Sequence, residues 1–290
     1  MILSYHPCFE ADKNLICAGR APGFGDLAAI KNARAVILPQ GCRAPLYQMA
    51  RRNCFHVFPN YDARFIYQGK IGQIELFKKQ KAFHPNTLTF RCICDYYVRF
   101  GKYGEAPFPF PFVFKFDWGG GGDTVFFIDS SRTFHEVLKK AEACERSGAK
   151  GFLLQEYILS ENRSIRVVVV GRRICSYWRI QRDPNSLYAS VSKGAVIDSE
   201  TDPHLQENAC RIVEAFCNKT SINLAGFDLL FSSKSPTAPP FFLEINYFFG
   251  REGLGGSFAF YQVLESEINN WLSHLGLGKR TFHGTVCDRS

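Results

Sequence analysis

Two apolar, β-prone runs, Phe227-Asp228-Leu229-Leu230-Phe231 and Phe241-Phe242-Leu243-Glu244-Ile245-Asn246, flank a Ser- and Pro-rich break from Ser232 to Pro240. That pattern reads as two strands joined by a loop. If Phe231 and Phe241 close the hairpin, the register sets Asp228 opposite Glu244. Side chains alternate along a strand, so Asn246 shares the face of Glu244. Two carboxylates and an amide then converge on one face of an otherwise hydrophobic ribbon. Hard oxygen ligands from so few residues suit Mg²⁺, which takes one or two carboxylates and leaves other positions to water and phosphates. A solvated outer face is the plainer alternative, and the better one for Asp228 alone; for the trio, a metal site is the better account.

The 290 residues are 46% hydrophobic and 21% charged, enough for two or three packed units. The formal net charge of +8 comes from scattered Lys and Arg. No run resembles a nucleic-acid arm, and a basic surface serves an anionic small substrate equally well. No apolar run is long enough for a membrane span, and Met1 to Cys17 lacks the layout of a secretory signal, so a cytoplasmic setting is expected. The 11 Cys include no CxxC. Most sit in apolar company, which favours reduced thiols over zinc ligands or disulfides.

Residues 1–65 mix short apolar runs with a Gly19-to-Gly25 loop and read as a small α/β domain. That glycine spacing is not GxGxxG leading into a helix. A helix is expected after Gly69, stopped before Pro85. Pro107 to Pro111 introduces a strand at Phe112 to Phe116, followed by Gly119 to Gly122 and a strand at Thr124 to Ile128. A helix from Thr133 has Thr133 and Glu136 as its capping box and an apolar stripe through Phe134, Val137, Leu138 and Ala141. Strands follow at Phe152 to Ile158, Arg166 to Val170 and Ile174 to Ile180. Next comes a helix with Asp202 as N-cap and Pro203 first, then the hairpin, then a final helix from Ser257 to Leu272. The order suggests antiparallel α+β lobes behind an α/β unit.

Lys115 interrupts a strand made almost wholly of Phe and Val, where an ammonium is costly unless it meets an anion. The glycine run that follows lies between two strands. It can expose backbone N–H groups over phosphates, although a plain hairpin turn is also open. A Walker-type P-loop would need a GK[ST] ending and a helix; Asp123-Thr124 leads into a strand instead.

From about Lys70 to Leu272 the chain resembles the ATP-grasp superfamily, which includes glutathione synthetase, D-alanine–D-alanine ligase and the ribosomal-protein glutamate ligases. The resemblance is carried, in order, by Phe114-Lys115, Gly119 to Gly122, Gln155-Glu156-Tyr157-Ile158, Arg166 to Gly171, Gly226-Phe227-Asp228 and Glu244-Ile245-Asn246. It implies an α+β fold: two ATP-grasp lobes with antiparallel sheets, at 66–154 and 155–290, behind the α/β domain of residues 1–65. It also implies ATP and Mg²⁺ (or Mn²⁺) as cofactors. Lys115, and less securely Lys70, would contact the α and β phosphates, with Gly119, Gly120, Gly121 and Gly122 as the phosphate loop. The strand Gln155, Glu156, Tyr157 and Ile158 would read the adenine edge. Asp228, Glu244 and Asn246 would hold the metal, and Arg179 would meet the transferring phosphate. A solvated strand arginine is the close alternative for Arg179.

Two departures from the ribosomal-protein ligase type weaken any transfer of substrate detail. Ser164 precedes Ile165-Arg166 where that type has Asp, and Ser190 stands where it tends to have Asn, ahead of Lys193-Gly194-Ala195. After Asn246, glycines lead into a helix start, where Arg251 would clamp a substrate carboxylate or simply be exposed. The implied activity is ATP-dependent amide formation between a small-molecule or peptide carboxylate and an amine through an acyl-phosphate. A kinase on the same fold and a non-catalytic ATP-binding module are the alternatives. Neither a nucleic-acid nor a membrane partner is expected, and a homo-oligomer is open.

Overall fold

The computed structural model describes residues 1–102, 106–120, 122–183, 194–235 and 237–278. They fall into two compact units. Unit 1 takes Met1–Pro59, Val170–Arg173 and the chain from Leu254 onward; unit 2 takes Asn60–Val169 and Ile174–Gly253.

Unit 1 begins with β1 (Ile2–Ser4), β2 (Lys13–Asn14), α1 (Phe24–Lys31), β3 (Ala35–Ile37), α2 (Ala44–Asn53) and β4 (His56–Phe58). The strands form one parallel sheet in the order β2-β1-β3-β4. Ala35, Val36 and Ile37 are wholly buried. A continuous apolar run is what a strand covered on both faces requires.

Unit 2 opens with α3 (Asp62–Ile66), α4 (Gly69–Gln80), β5 (Thr87–Phe90), α5 (Ile93–Phe100), β6 (Phe112–Phe116), β7 (Val125–Ile128), α6 (Ser131–Arg146) and β8 (Phe152–Glu156). Its first sheet is antiparallel, in the order β5-β8-β6-β7. Along β6, Phe112, Phe114 and Phe116 are buried while Val113 and Lys115 are only partly so. The period of two therefore splits the strand into a core face and a second face that carries the lysine. The core face packs with Phe152 and Leu154 of β8 and with Phe134, Val137, Leu138 and Ala141 of α6. The α6 cap differs from expectation. Ser130, not Thr133, is the N-cap, its Oγ accepting the Thr133 N–H, so the helix starts three positions earlier on a better-placed hydroxyl.

The second sheet follows the order β11-β10-β9-β12-β13. It is built from β9 (Arg163–Val170), β10 (Arg173–Ile180), β11 (Val196–Asp198), β12 (Leu224–Leu230) and β13 (Phe241–Asn246), with α7 (Pro203–Thr220) preceding β12. Phe216 of α7 packs its ring 5.0 Å from Phe242 and 5.9 Å from Phe227. Asp202 sits at the N-cap of α7 in the left-handed region, and its side chain does not cap the helix; it pairs with Arg163 instead. The last element is α8 (Gly256–His274), part of unit 1, whose buried stripe is Phe260, Leu264, Ile268 and Leu272. Trp271 meets Phe58 of β4 at 5.6 Å between ring centroids.

The β12–β13 hairpin closes one residue differently from the sequence expectation. Phe241 pairs with Leu230, not Phe231. An irregularity between Asp228 and Leu229 then passes Leu243 without a partner and sets Asp228 opposite Glu244, with Gly226 opposite Asn246. A β-bulge absorbs the extra residue, which is how a slipped turn still delivers the carboxylates in register.

The expectation of reduced thiols is corrected at one place. Cys92 and Cys94 are joined in a disulfide at the start of α5, with their Cα atoms 5.3 Å apart. That separation lies within disulfide reach, which burial and composition alone do not reveal. Cysteines 8, 17, 42, 54, 144, 175, 210 and 217 are free thiols.

Candidate functional site

Unit 2 contains a cavity of about 260 Å³ lined by both of its sheets and by α4. Helix α4 reaches both sides. Gln73 donates Nε2 to the Ile245 carbonyl at 2.9 Å and accepts the Ile245 N–H at 2.8 Å, locking β13 to the helix. One turn earlier, Lys70 donates Nζ to the Gly119 carbonyl at 2.9 Å. The start of α4 is held by Asp117, whose Oδ1 accepts the Ile71 N–H at 2.7 Å.

Lys115 faces this cavity from β6, on the face opposite the phenylalanines. Its ammonium donates to Gln155 Oε1 at 2.6 Å. Gln155 passes the order on, donating Nε2 to Thr87 Oγ1 at 2.9 Å, and Thr87 donates to the Pro85 carbonyl at 2.7 Å. Burial lowers the Lys115 pKa to about 8; Glu244 and Asp228 pull it up, and Lys70 pushes it down.

Asp228 is the hub of the acidic side. Arg166 binds it through Nε and, at 3.1 Å, through Nη2. Arg179 Nη2 lies 2.9 Å from its Oδ1, and Asn246 donates Nδ2 to its Oδ2 at 3.1 Å. Burial alone would raise the Asp228 pKa, but the two guanidinium groups outweigh it and hold the carboxyl below its ordinary value. Arg179 is oriented from its other side by Ser164, whose Oγ accepts from Nε at 3.2 Å and Nη2 at 3.0 Å. Glu244 has the opposite balance. Burial raises its pKa, Asp228 adds to the rise, and Lys70, Lys115 and Arg166 oppose it. Among the described residues no side chain or backbone group hydrogen-bonds or ion-pairs with its carboxylate.

This donor set fits a divalent cation of the Mg²⁺ type. Glu244 offers a half-buried, unpaired carboxylate. Asn246 spends its amide N–H on Asp228, leaving its carbonyl oxygen available. Asp228 contributes through a carboxylate already engaged by two arginines. All three are hard oxygen donors on one rim of one cavity.

Of the residues singled out in the sequence, Lys70, Lys115, Gly120, Gly122, Gln155, Glu156, Tyr157, Ile158, Arg179, Asp228, Glu244 and Asn246 all line this cavity. Gly119 meets it through its carbonyl contact with Lys70. Arg251 does not line it. Gly121, Ser190 and Lys193 lie outside the described residues. Arg166 was noted only as part of a motif, and Ser164 only as a departure; together they set the geometry of Asp228 and Arg179. Their spacing held the clue, since residues two apart on a strand share a face, but the partner strand was not readable. Gln73 and Thr87 gave no local signal. Each acts through a contact with a segment far away in sequence.

Residues 68–256 match the family model described as the RimK-like ATP-grasp domain. No curated protein matches the chain in sequence. Among solved structures, a RimK domain protein ATP-grasp from Sphaerobacter thermophilus DSM 20745 is similar with a TM-score of 0.61 at 12% identity, covering 92% of this chain and 98% of that one. VanG D-Ala:D-Ser ligase from Enterococcus faecalis is similar with a TM-score of 0.57 at 14% identity, covering 84% of this chain and 73% of its own. Carboxyaminoimidazole ribonucleotide synthase from Aspergillus clavatus, complexed with ATP, has a TM-score of 0.54 at 10% identity over 85% of this chain. This chain spans 62% of that synthase. At such identities the likeness speaks for the fold, which is the α+β ATP-grasp fold with antiparallel sheets. The family match covers more than half of the chain, and the chain belongs to the RimK-like ATP-grasp family.

Proposed function

We propose that the protein is an ATP-dependent carboxylate–amine ligase working through an acyl-phosphate. The observation that carries this reading is a half-buried lysine, Lys115, facing the same cavity as an unpaired, half-buried carboxylate, Glu244. A polyanion that brings its own divalent cation satisfies both at once.

In this reading Lys70 and Lys115 hold the α and β phosphates, and the glycine loop at 119–122 covers them. Gln155, Glu156, Tyr157 and Ile158 border the adenine. Glu244 and Asn246, with Asp228, would hold Mg²⁺, which would supply charge neutralisation for the phosphates. Arg179, aimed by Ser164, meets the transferring phosphoryl group, where a preoriented guanidinium stabilises developing charge. A carboxylate oxygen of the first substrate attacks the γ-phosphorus, the bond to the bridging oxygen breaks, and ADP leaves. An amine then attacks the acyl carbon, the acyl C–O bond breaks, and phosphate departs while the amine proton passes to solvent. VanG is named as a D-Ala:D-Ser ligase, and a reaction of that general class is the one inferred here. Arg251 as a carboxylate clamp draws no support from the cavity. Among the described residues no helix is long and apolar enough to cross a membrane, and the cytoplasm, where ATP is plentiful, is the setting that suits this chemistry.

The test is hydroxylamine trapping with ATP, Mg²⁺ and a pool of small carboxylates and peptides. The expected result is a hydroxamate that requires both ATP and the carboxylate, with ADP as the nucleotide product. AMP and pyrophosphate would rule out this chemistry. A stable phosphorylated product indifferent to amines would identify a kinase, and ATP binding without turnover a binding module.

A further inference from the structure

Unit 1 has a cavity of its own. In its parallel sheet the chain leaves β1 towards β2 on one side and leaves β3 towards β4 on the other. Adjacent strands whose outgoing connections diverge leave a crevice beyond their carboxyl ends, where open α/β sheets take ligands. A cavity of about 500 Å³ lies there, within the usual size of small-molecule sites, roughly 300–1,000 Å³. Tyr5 and Pro7 line it just after β1, Pro39 and Cys42 just after β3, and the loop 16–22 forms the facing wall.

That wall is fixed before any ligand arrives. Asp26 of α1 is buried and accepts hydrogen bonds from Tyr5 Oη at 3.0 Å and from the Gly23 N–H at 2.7 Å. It also receives Arg20 Nη1 and Nη2 at 2.6 and 2.8 Å, while Arg20 Nε donates to the Ile16 carbonyl at 3.0 Å. The loop is tied at both ends, so a ligand would lose little affinity to ordering it.

The lining selects a charge. Neither Asp nor Glu is among the described residues around this cavity, whereas Arg20 and Arg43 both are. Arg20 is consumed by Asp26 and the loop. Arg43 is exposed, and its guanidinium makes no hydrogen bond or ion pair among the described residues; only its backbone carbonyl is engaged, accepting the Tyr47 N–H at 3.1 Å. It is the N-cap residue of α2, where the helix dipole adds to its positive potential. Pro7, Pro22, Pro39 and Pro45 present apolar rings without N–H donors, and Leu46 adds an aliphatic floor.

We propose that unit 1 holds a second ligand site, for a small organic carboxylate with an apolar body, and that Arg43 is its anion contact. One unengaged guanidinium suits a single carboxylate better than a polyphosphate, and the apolar walls take the remainder of the molecule. This inference does not rest on the nucleotide reading of unit 2.

The test uses the full chain and three probes sharing a phenyl body: phenylacetate, phenylacetamide and phenethylamine, compared by saturation-transfer NMR. Phenylacetate is expected to bind best and phenethylamine not at all. Arg43→Gln should weaken phenylacetate about tenfold, the loss of one charge-assisted hydrogen-bonding group, and leave phenylacetamide nearly unchanged. Ala18→Trp, at the exposed rim, should block both. In the natural chain, phenylacetate should also slow alkylation of Cys17, which lines the cavity, without slowing that of Cys144 in unit 2. Equal binding of the three probes, no binding of any, or a phenylacetate affinity indifferent to Arg43→Gln would overturn the proposal. Cys17 alkylation unaffected by saturating phenylacetate would do the same.

Discussion

Lys115 and Asp228 show two ways of keeping a charge inside unit 2. Asp228 is met by Arg166, Arg179 and Asn246, so its ionised form is favoured despite burial. Lys115 has an amide oxygen and a more distant carboxylate, and burial wins. In the unfolded chain its pKa returns to 10.5, so between about 8 and 10.5 the unfolded state holds more protons. Stability should therefore rise with pH across that window. Below it, holding the ammonium in the fold costs about 3 kcal/mol. Lys115→Met is expected to be more stable than the natural chain at neutral pH by that order, with the gap closing as pH nears 10.5. The same substitution should sharply weaken ATP binding. Denaturant titrations at two pH values, paired with calorimetry, check both; a variant unchanged in stability and in affinity would contradict the phosphate role.

Helix α4 carries Lys70 and Gln73, and its start depends on one glycine. Gly69 has φ +68, and a Cβ there would come within 2.6 Å of Asp117 Oδ2. Asp117 is the residue that receives the Ile71 N–H, so a side chain at 69 would push away the group that anchors the helix. Gly69→Ala is expected to cost roughly 1–3 kcal/mol and to weaken nucleotide binding by displacing Lys70. Gly120→Ala is the control: a Cβ there meets nothing within 4 Å, so stability should hardly change. Thermal melts of the two variants separate the cases, and equal losses would show that the α4 start is not under this constraint. Other elements followed from local pattern. The α4 helix, β6 and the α8 helix were readable because 3.6-residue and two-residue periods survive in short windows. The α5 helix, β5 and the early helices were not, because helices of five to ten residues and a strand of four are too short for a period to repeat.

Unit 1 is discontinuous in sequence. Its parallel sheet is completed by α8, which brings Trp271 against Phe58 and buries Leu264, Ile268 and Leu272. A chain ending at Gly253 would expose that apolar surface. The expectation is loss of amide-exchange protection at Val36 and Ile37 and a gain in binding of a hydrophobic dye, with the first sheet of unit 2 still protected. Retained protection at β3 would mean that α8 is dispensable to unit 1.

Much of the candidate site could be read from residue type and alternation. Asp228, Glu244 and Asn246 lie on hairpin strands whose side-chain period is two, and Lys115 stands out because an ammonium among phenylalanines demands a reason. These are local facts, since periodicity and desolvation act within a few residues. What local pattern could not decide was pairing across distance. The bulge at Leu243 rescued the register from a turn that closes on Leu230. Arg166 and Arg179 took up Asp228, and Ser164 took up Arg179. Gln73 joined α4 to a strand far along the chain, and the crevice beyond β1 and β3 came from the order in which strands were laid side by side. Each of these depends on which segments become neighbours, and that choice is made by packing the whole chain, where the free energy of burying apolar surface outweighs any one residue's preference.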